Sequence, residues 1–150
     1  MKLLKEIEVL FKKIFKRRYI QGSRSFIKAL HRQGFPLALV TGTSRHEAKE
    51  LLPKELWDCF AVTVCGCDVE NGKPHPEPYL MALKKLGLKA SQALVIENAP
   101  FGIASAKAAG LKCLALETSL PQSYLKQADA VFKSYKDLNN EIKTKNSITL

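Results

Sequence analysis

The sequence predicts an α/β domain built on a mostly parallel sheet. Three observations predict it. Short runs that are apolar throughout, such as "ALVIE" (93–97) and "KCLALE" (112–117), alternate with segments of helical period. Strands covered on both faces read as continuous apolar runs, and strand–helix alternation is the pattern of parallel sheets. The helical segments also carry their own boundaries: Ser44 with Glu47 three residues on makes a capping box, and Pro76 and Gly87 bracket another helix. Finally, 150 residues at 46% hydrophobic and 25% charged are enough for one core and too apolar for disorder.

The elements follow in order. Residues 3–18, "LLKEIEVLFKKIFKRR", fit an amphipathic helix. Leu3, Ile7, Leu10, Phe11, Ile14 and Phe15 share one face, and most of Lys5, Lys12, Lys13, Lys16, Arg17 and Arg18 lie on the other. "YIQGS" breaks it, Ser23 is expected to cap a helix over 24–33, and Gly34 ends that helix. "PLALVT" (36–41) reads as a buried strand, followed by a helix from Ser44 to Leu52, where Pro53 interrupts. "FAVTVC" (60–65) is the next strand and "PEPYLMALKKLG" the next helix. Strand 93–97 then precedes the helix "FGIASAKAAG", and strand 112–117 a short helix "QSYLKQA". Strand 129–132 and a helix "SYKDLNNEIK" close the series, with residues 144–150 as a frayed tail. The organisation expected is a helix over 1–18, an α/β core over 19–143 and the tail.

Composition excludes several classes. No apolar run approaches the roughly 18 residues of a membrane span. Glu6 and Glu8 interrupt what a signal peptide would keep apolar, so a cytoplasmic protein is expected. Cys59, Cys65, Cys67 and Cys113 fit buried free thiols better than a disulfide framework or a zinc site. Residues 1–33 hold ten Lys/Arg against two Glu, so +8 of the formal +10 belongs to that segment. The basic face is read as solvated; association through the apolar face, or binding to nucleic acid or anionic membrane, are alternatives, though no nucleic-acid motif accompanies it.

Ligands of open parallel sheets bind at the carboxyl ends of the strands. There the first strand ends at Thr41-Gly42-Thr43, the loop after the second carries Asp68 and "NGKPHPEPY" with Lys73, and the third ends at Glu97-Asn98. A hydroxyl with backbone N–H groups at a strand-to-helix turn is a seat for an anion. A lysine adds a movable positive charge, and carboxylate and amide oxygens suit Mg²⁺. His75 reads as a loop residue, and Arg45 and His46 as exposed helix residues near the entrance.

"LALVTGTSR", "NGKPHPEPY" and "VIENAPFGIASAKAAG" resemble, in order and spacing, the second, third and fourth motifs of the haloacid dehalogenase superfamily, and most closely its β-phosphoglucomutase-like phosphatases. The resemblance covers residues 19–138. It implies a three-layer Rossmann-like core and hydrolysis of phosphate monoesters of small molecules. Thr41, Gly42, Thr43 and Lys73 would hold the phosphoryl group, with Thr41 and Lys73 acting in catalysis, and Glu97 and Asn98 would position Mg²⁺. Two departures stand out. Asn98 replaces the family's usual aspartate. The first motif, Asp-x-Asp-x-Thr, which supplies the nucleophile and acid/base, is absent, and no aspartate precedes Asp58.

The chain therefore reads as starting inside the last helix of the family's cap and as lacking the central strand. Two strands would then face an open gap, from which a homodimer, a complementing chain or poor solubility is expected. The functions in view are a phosphatase whose nucleophile comes from elsewhere, a non-catalytic remnant, and a basic interaction module acting through residues 1–18. Nucleic acid is not an expected partner.

Overall fold

The computed structural model describes residues 19–144. The helix read over 3–18 lies outside the described residues, as does the tail beyond 144. The helices are α1 (Ser23–Arg32), α2 (Arg45–Leu51), α3 (Lys54–Trp57), α4 (Glu77–Leu86), α5 (Pro100–Ala108) and α6 (Tyr135–Thr144). The strands are β1 (Ala38–Val40), β2 (Val62–Val64), β3 (Leu94–Glu97), β4 (Lys112–Leu116) and β5 (Ala130–Phe132).

The sequence signals act largely as expected. Ser44 caps α2 in a reciprocal capping box with Glu47. α4 opens after Pro76 and closes on Gly87 at φ 68°. Three expectations fail locally. Gly22, at φ 85°, stands before α1, and Ser23 is its first helical residue without a side-chain cap. Beyond Pro53 the chain resumes as α3, because proline is tolerated at a helix start. "QSYLKQA" forms only one 3₁₀ turn, Gln122–Tyr124, after Pro121.

All strand pairs are parallel, and they form two sheets. One pairs β1 with β2, Ala38 opposite Val62 and Val40 opposite Val64. The other has the order β3-β4-β5, with Val95 opposite Cys113 and Ala115 opposite Val131. Alternation along β4 makes three layers. Cys113 and Ala115 join Tyr79 and Leu83 of α4 and Ile103 and Ala106 of α5 on one face. Leu114 and Leu116 meet Phe26 of α1 and Leu138 of α6 on the other. α4 packs against β1 and β2 of one sheet, and its Tyr79 and Leu83 share a core cluster with Val95, Cys113 and Ala115 of the other.

Of the four cysteines, Cys59, Cys65 and Cys113 are buried; Cys67 is exposed, which corrects the expectation for that one. Cys67 lies in the short 3₁₀ turn after β2, where its side chain faces solvent.

Asp129 seals the end of the larger sheet. Its carboxylate accepts from the Cys113 N–H at 2.7 Å and from Lys107 Nζ at 2.7 and 2.8 Å. The Cys113 amide first, and then Lys107, hold its pKa below the usual carboxylate range. A depressed folded-state pKa adds stability above the unfolded value, and that stability is lost as pH falls through the folded one. Asp129→Asn is therefore expected to cost about 1 kcal/mol at neutral pH. Melting temperatures measured for both proteins should converge as pH falls below about 4.

Candidate active site

The site lies where β1, β2 and β3 end. β1 runs into Thr41-Gly42-Thr43, and the Thr41 N–H still bonds Val64 O at 2.9 Å. The Thr41 hydroxyl folds over its own turn: it accepts the Thr43 N–H at 3.1 Å and donates to Thr43 Oγ1 at 3.0 Å. The Gly42 N–H has no partner among the described residues. The turn is laced to the loop after β2, where the Gly66 N–H donates to Thr43 O at 3.0 Å. A Cβ on Gly66 would be driven into the carbonyl of Gly42. Glycine is thus required at position 66 by close backbone approach.

Lys73 reaches this place from the loop between β2 and α4. Its Nζ donates to Val40 O on β1 at 3.1 Å and to Glu97 Oε1 on β3 at 2.5 Å. One side chain thus ties the two sheets where no strand pairing does. The pair is largely buried, with the Lys73 side chain 17% and that of Glu97 10% exposed. Tyr79, from the first turns of α4, donates its hydroxyl to the same Oε1 at 2.8 Å, and the Lys73 Nζ lies 5.0 Å from the centre of its ring. Burial, reinforced by the Glu97 charge, pushes the Tyr79 pKa well up, so the phenol stays a donor.

Glu97 Oε2 accepts the N–H groups of Asn98 at 3.0 Å and Ala99 at 3.3 Å. The carboxylate can fold back this far only because Gly102 has no side chain; a Cβ there would overlap it. Asn98 turns its amide nitrogen to Thr118 Oγ1 at 3.1 Å, in the loop after β4. A cleft of about 450 Å³ lies between the sheets, bounded by Val40, Thr41, Lys73, Ile96, Glu97 and Asn98.

The structure thus brings Thr41, Gly42, Lys73, Glu97 and Asn98 to one cleft, with Thr43 hydrogen-bonded to Thr41. It separates three others. Arg45 is turned away: it donates to Thr63 Oγ1 at 2.6 Å and Asp68 Oδ2 at 2.5 Å, so it braces β2 where an exposed position near the entrance was expected. Asp68 spends its carboxylate on Arg45 and the Cys65 N–H. His75 accepts from the Glu77 N–H through Nδ1 and takes the Ser105 hydroxyl on its carbonyl, as a turn residue does. Sequence reasoning missed Tyr79, Gly66, Gly102 and Thr118. Tyr79 was within reach, since it closes the same "NGKPHPEPY" that carries Lys73.

Mg²⁺ favours several hard oxygen ligands, with carboxylates prominent. Both Glu97 oxygens already accept internal donors, and Asn98 offers a neutral amide oxygen. Among the described residues no group of three His, Cys, Asp or Glu could hold a metal. These residues alone do not fit the ion.

The sequence profile of haloacid dehalogenase-like hydrolases matches residues 2–116. The chain belongs to this family. Among curated haloacid dehalogenase relatives, it is 36% identical over 118 residues to validoxylamine A 7'-phosphate phosphatase of Streptomyces hygroscopicus, covering 76% of this chain and 54% of that protein. It is 34% identical over 116 residues to the phosphoglycolate phosphatase of Escherichia coli, covering 73% of this chain and 45% of that protein. The chain spans about half the length of these curated relatives. A Thermotoga maritima structure assigned as a β-phosphoglucomutase superposes with TM-score 0.74 at 33% identity, over 82% of this chain and 59% of that one. The CbbY protein of Rhodobacter sphaeroides, solved with phosphate, gives TM-score 0.71 at 28% identity, over 79% and 55%. These neighbours put the chain in the β-phosphoglucomutase-like branch of the superfamily, whose members generally use Mg²⁺ and phosphorylated substrates. No described helix is long and apolar enough to cross a membrane.

Proposed function

We propose that this chain forms the phosphoryl-binding half of a phosphatase site. The phosphate of a small-molecule monoester is held by the Gly42 N–H, the Thr41 and Thr43 hydroxyls and Lys73. The observation that carries the reading is the convergence of the Thr41–Thr43 turn and the Lys73 ammonium on one cleft at the carboxyl ends of β1 and β3. Hydroxyls can rotate from their internal bonds toward a ligand, and an ammonium has three donors, of which two are spent here. The phosphate complex of the related Rhodobacter protein supports the same reading.

Hydrolysis needs a nucleophile in line with the leaving group. Among the described residues at the cleft, the one carboxylate is Glu97, and it is locked by internal donors. The proposed chain therefore binds phosphate but does not turn over unaided. A complementing strand bearing an aspartate is the second reading, favoured by one observation: among the described residues, the edges of β1 and β3 that face the cleft are unpaired.

The test is isothermal titration of the folded chain with inorganic phosphate, beside an assay of 4-nitrophenyl phosphate hydrolysis with and without Mg²⁺. Millimolar binding that Lys73→Ala abolishes, with no turnover, is the expected result. Turnover lost in Lys73→Ala would show that the chain carries its own nucleophile and overturn the half-site reading.

A further inference from the structure

The cleft contains an acid that sits on Lys73, the one lysine lining it among the described residues. Glu97 Oε1 takes the Lys73 ammonium and the Tyr79 hydroxyl, Oε2 takes two backbone amides, and the gap left by Gly102 holds the carboxylate in that pose. A side chain built to face an incoming metal ion would leave an oxygen free. This one is satisfied on both sides and buried.

We infer that Glu97 is a resident counter-ion that competes with phosphate for Lys73, and that the Tyr79 hydroxyl tunes the contest by drawing on the same carboxylate oxygen. The inference rests on the phosphate seat proposed above. A phosphate on the Thr41–Thr43 turn gains the third N–H of Lys73 but meets the negative charge of Glu97 beside it. The charges of Lys73 and Glu97 cancel, so the seat offers an anion little net field. Tyr79 donates to Oε1 and so takes up part of its charge; without that hydroxyl, Oε1 serves Lys73 alone and holds it harder. Tyr79 is a positioning residue, acting on the ligand through Glu97 and Lys73.

The experiment measures inorganic phosphate affinity by calorimetry at fixed ionic strength without divalent ions, each variant first checked for a native amide spectrum. Glu97→Gln keeps the shape, removes the charge and is expected to bind phosphate about tenfold more tightly. Tyr79→Phe keeps the ring beside Lys73 and is expected to bind about threefold more weakly. A merely structural role for the two residues would weaken both variants alike, so the opposite signs identify the mechanism.

Binding by Glu97→Gln that is unchanged or weaker, while Lys73→Met still abolishes it, overturns the counter-ion inference and leaves the phosphate seat standing. Phosphate binding that Lys73→Met leaves intact overturns the seat and the inference together, as does an absence of binding in both the parent chain and Glu97→Gln. Should Glu97→Gln not fold, Tyr79→Phe decides together with its amide spectrum: weaker binding with parent-like amide shifts at the Thr41–Thr43 turn supports the inference, and equal or tighter binding, or weaker binding with that turn displaced, overturns it.

Discussion

Replacing Lys73 with methionine is expected to abolish phosphate binding and to cost about 3 kcal/mol of stability, because removing one partner of a buried ion pair strands the other. Lys73 and Glu97 are mostly screened from water, and Tyr79 and two amides fix the carboxylate in place. The loss has a second part. Lys73 is the side chain that joins Val40 of one sheet to Glu97 of the other, so its removal loosens the seam along which the strands do not pair. The double variant Lys73→Met/Glu97→Gln should recover about half of the lost stability, since the stranded charge is gone. Lys54→Met breaks an exposed pair with Asp58, whose side chains are 86% and 55% exposed, and should cost under about 0.5 kcal/mol. Urea denaturation of the four proteins checks the ranking.

Gly66→Ala is expected to be almost as damaging, costing about 3 kcal/mol, although no side chain is lost. The added methyl group would collide with the Gly42 carbonyl, a backbone atom that cannot rotate away. Relief requires moving the Thr41–Thr43 turn, with the hydrogen bond from Gly66 N–H to Thr43 O, so the phosphate seat should be distorted as well. Gly72→Ala, with open space at its Cβ position, is the control and should be near neutral. Calorimetric titration with phosphate alongside thermal melts separates the two consequences: Gly66→Ala should lose both stability and binding, and Gly72→Ala neither.

Much of the fold was legible because the signals were local. The apolar runs at β3 and β4, the capping box at Ser44 and the proline and glycine around α4 each act within a few residues, and each gave its element. Boundaries were less legible. The run "PLALVT" continues past both ends of the three-residue β1, since apolar character marks burial and a ladder needs a partner. α3 was hidden by Pro53, which stops one helix and serves equally well at the start of another.

The candidate site was legible to the extent that loop positions at strand ends carry chemistry. Lys73 and Glu97 could be placed at the same end of the sheet, but their mutual bond depends on a side chain crossing between two sheets, which spacing does not encode. Gly42 drew attention because it lies in the motif, yet a Cβ there meets open space and Gly66 carries the steric demand. Gly102 was hidden for a related reason: in a helix glycine ordinarily weakens, and only the fold shows that Glu97 occupies the space its side chain would fill. Arg45 was misplaced because its partners, Thr63 and Asp68, are 18 and 23 residues away.

The Thr41–Thr43 turn and Lys73 act together, on this proposal, as one phosphate seat. The most direct measurement is a phosphate titration of ¹⁵N-labelled chain followed by amide shifts. Saturable shifts are expected to concentrate at Gly42, Thr43 and Ser44 and at the amides of Asn98 and Ala99, all absent in Lys73→Met. Shifts that spread over surface lysines, or that persist at Gly42 in Lys73→Met, would contradict it.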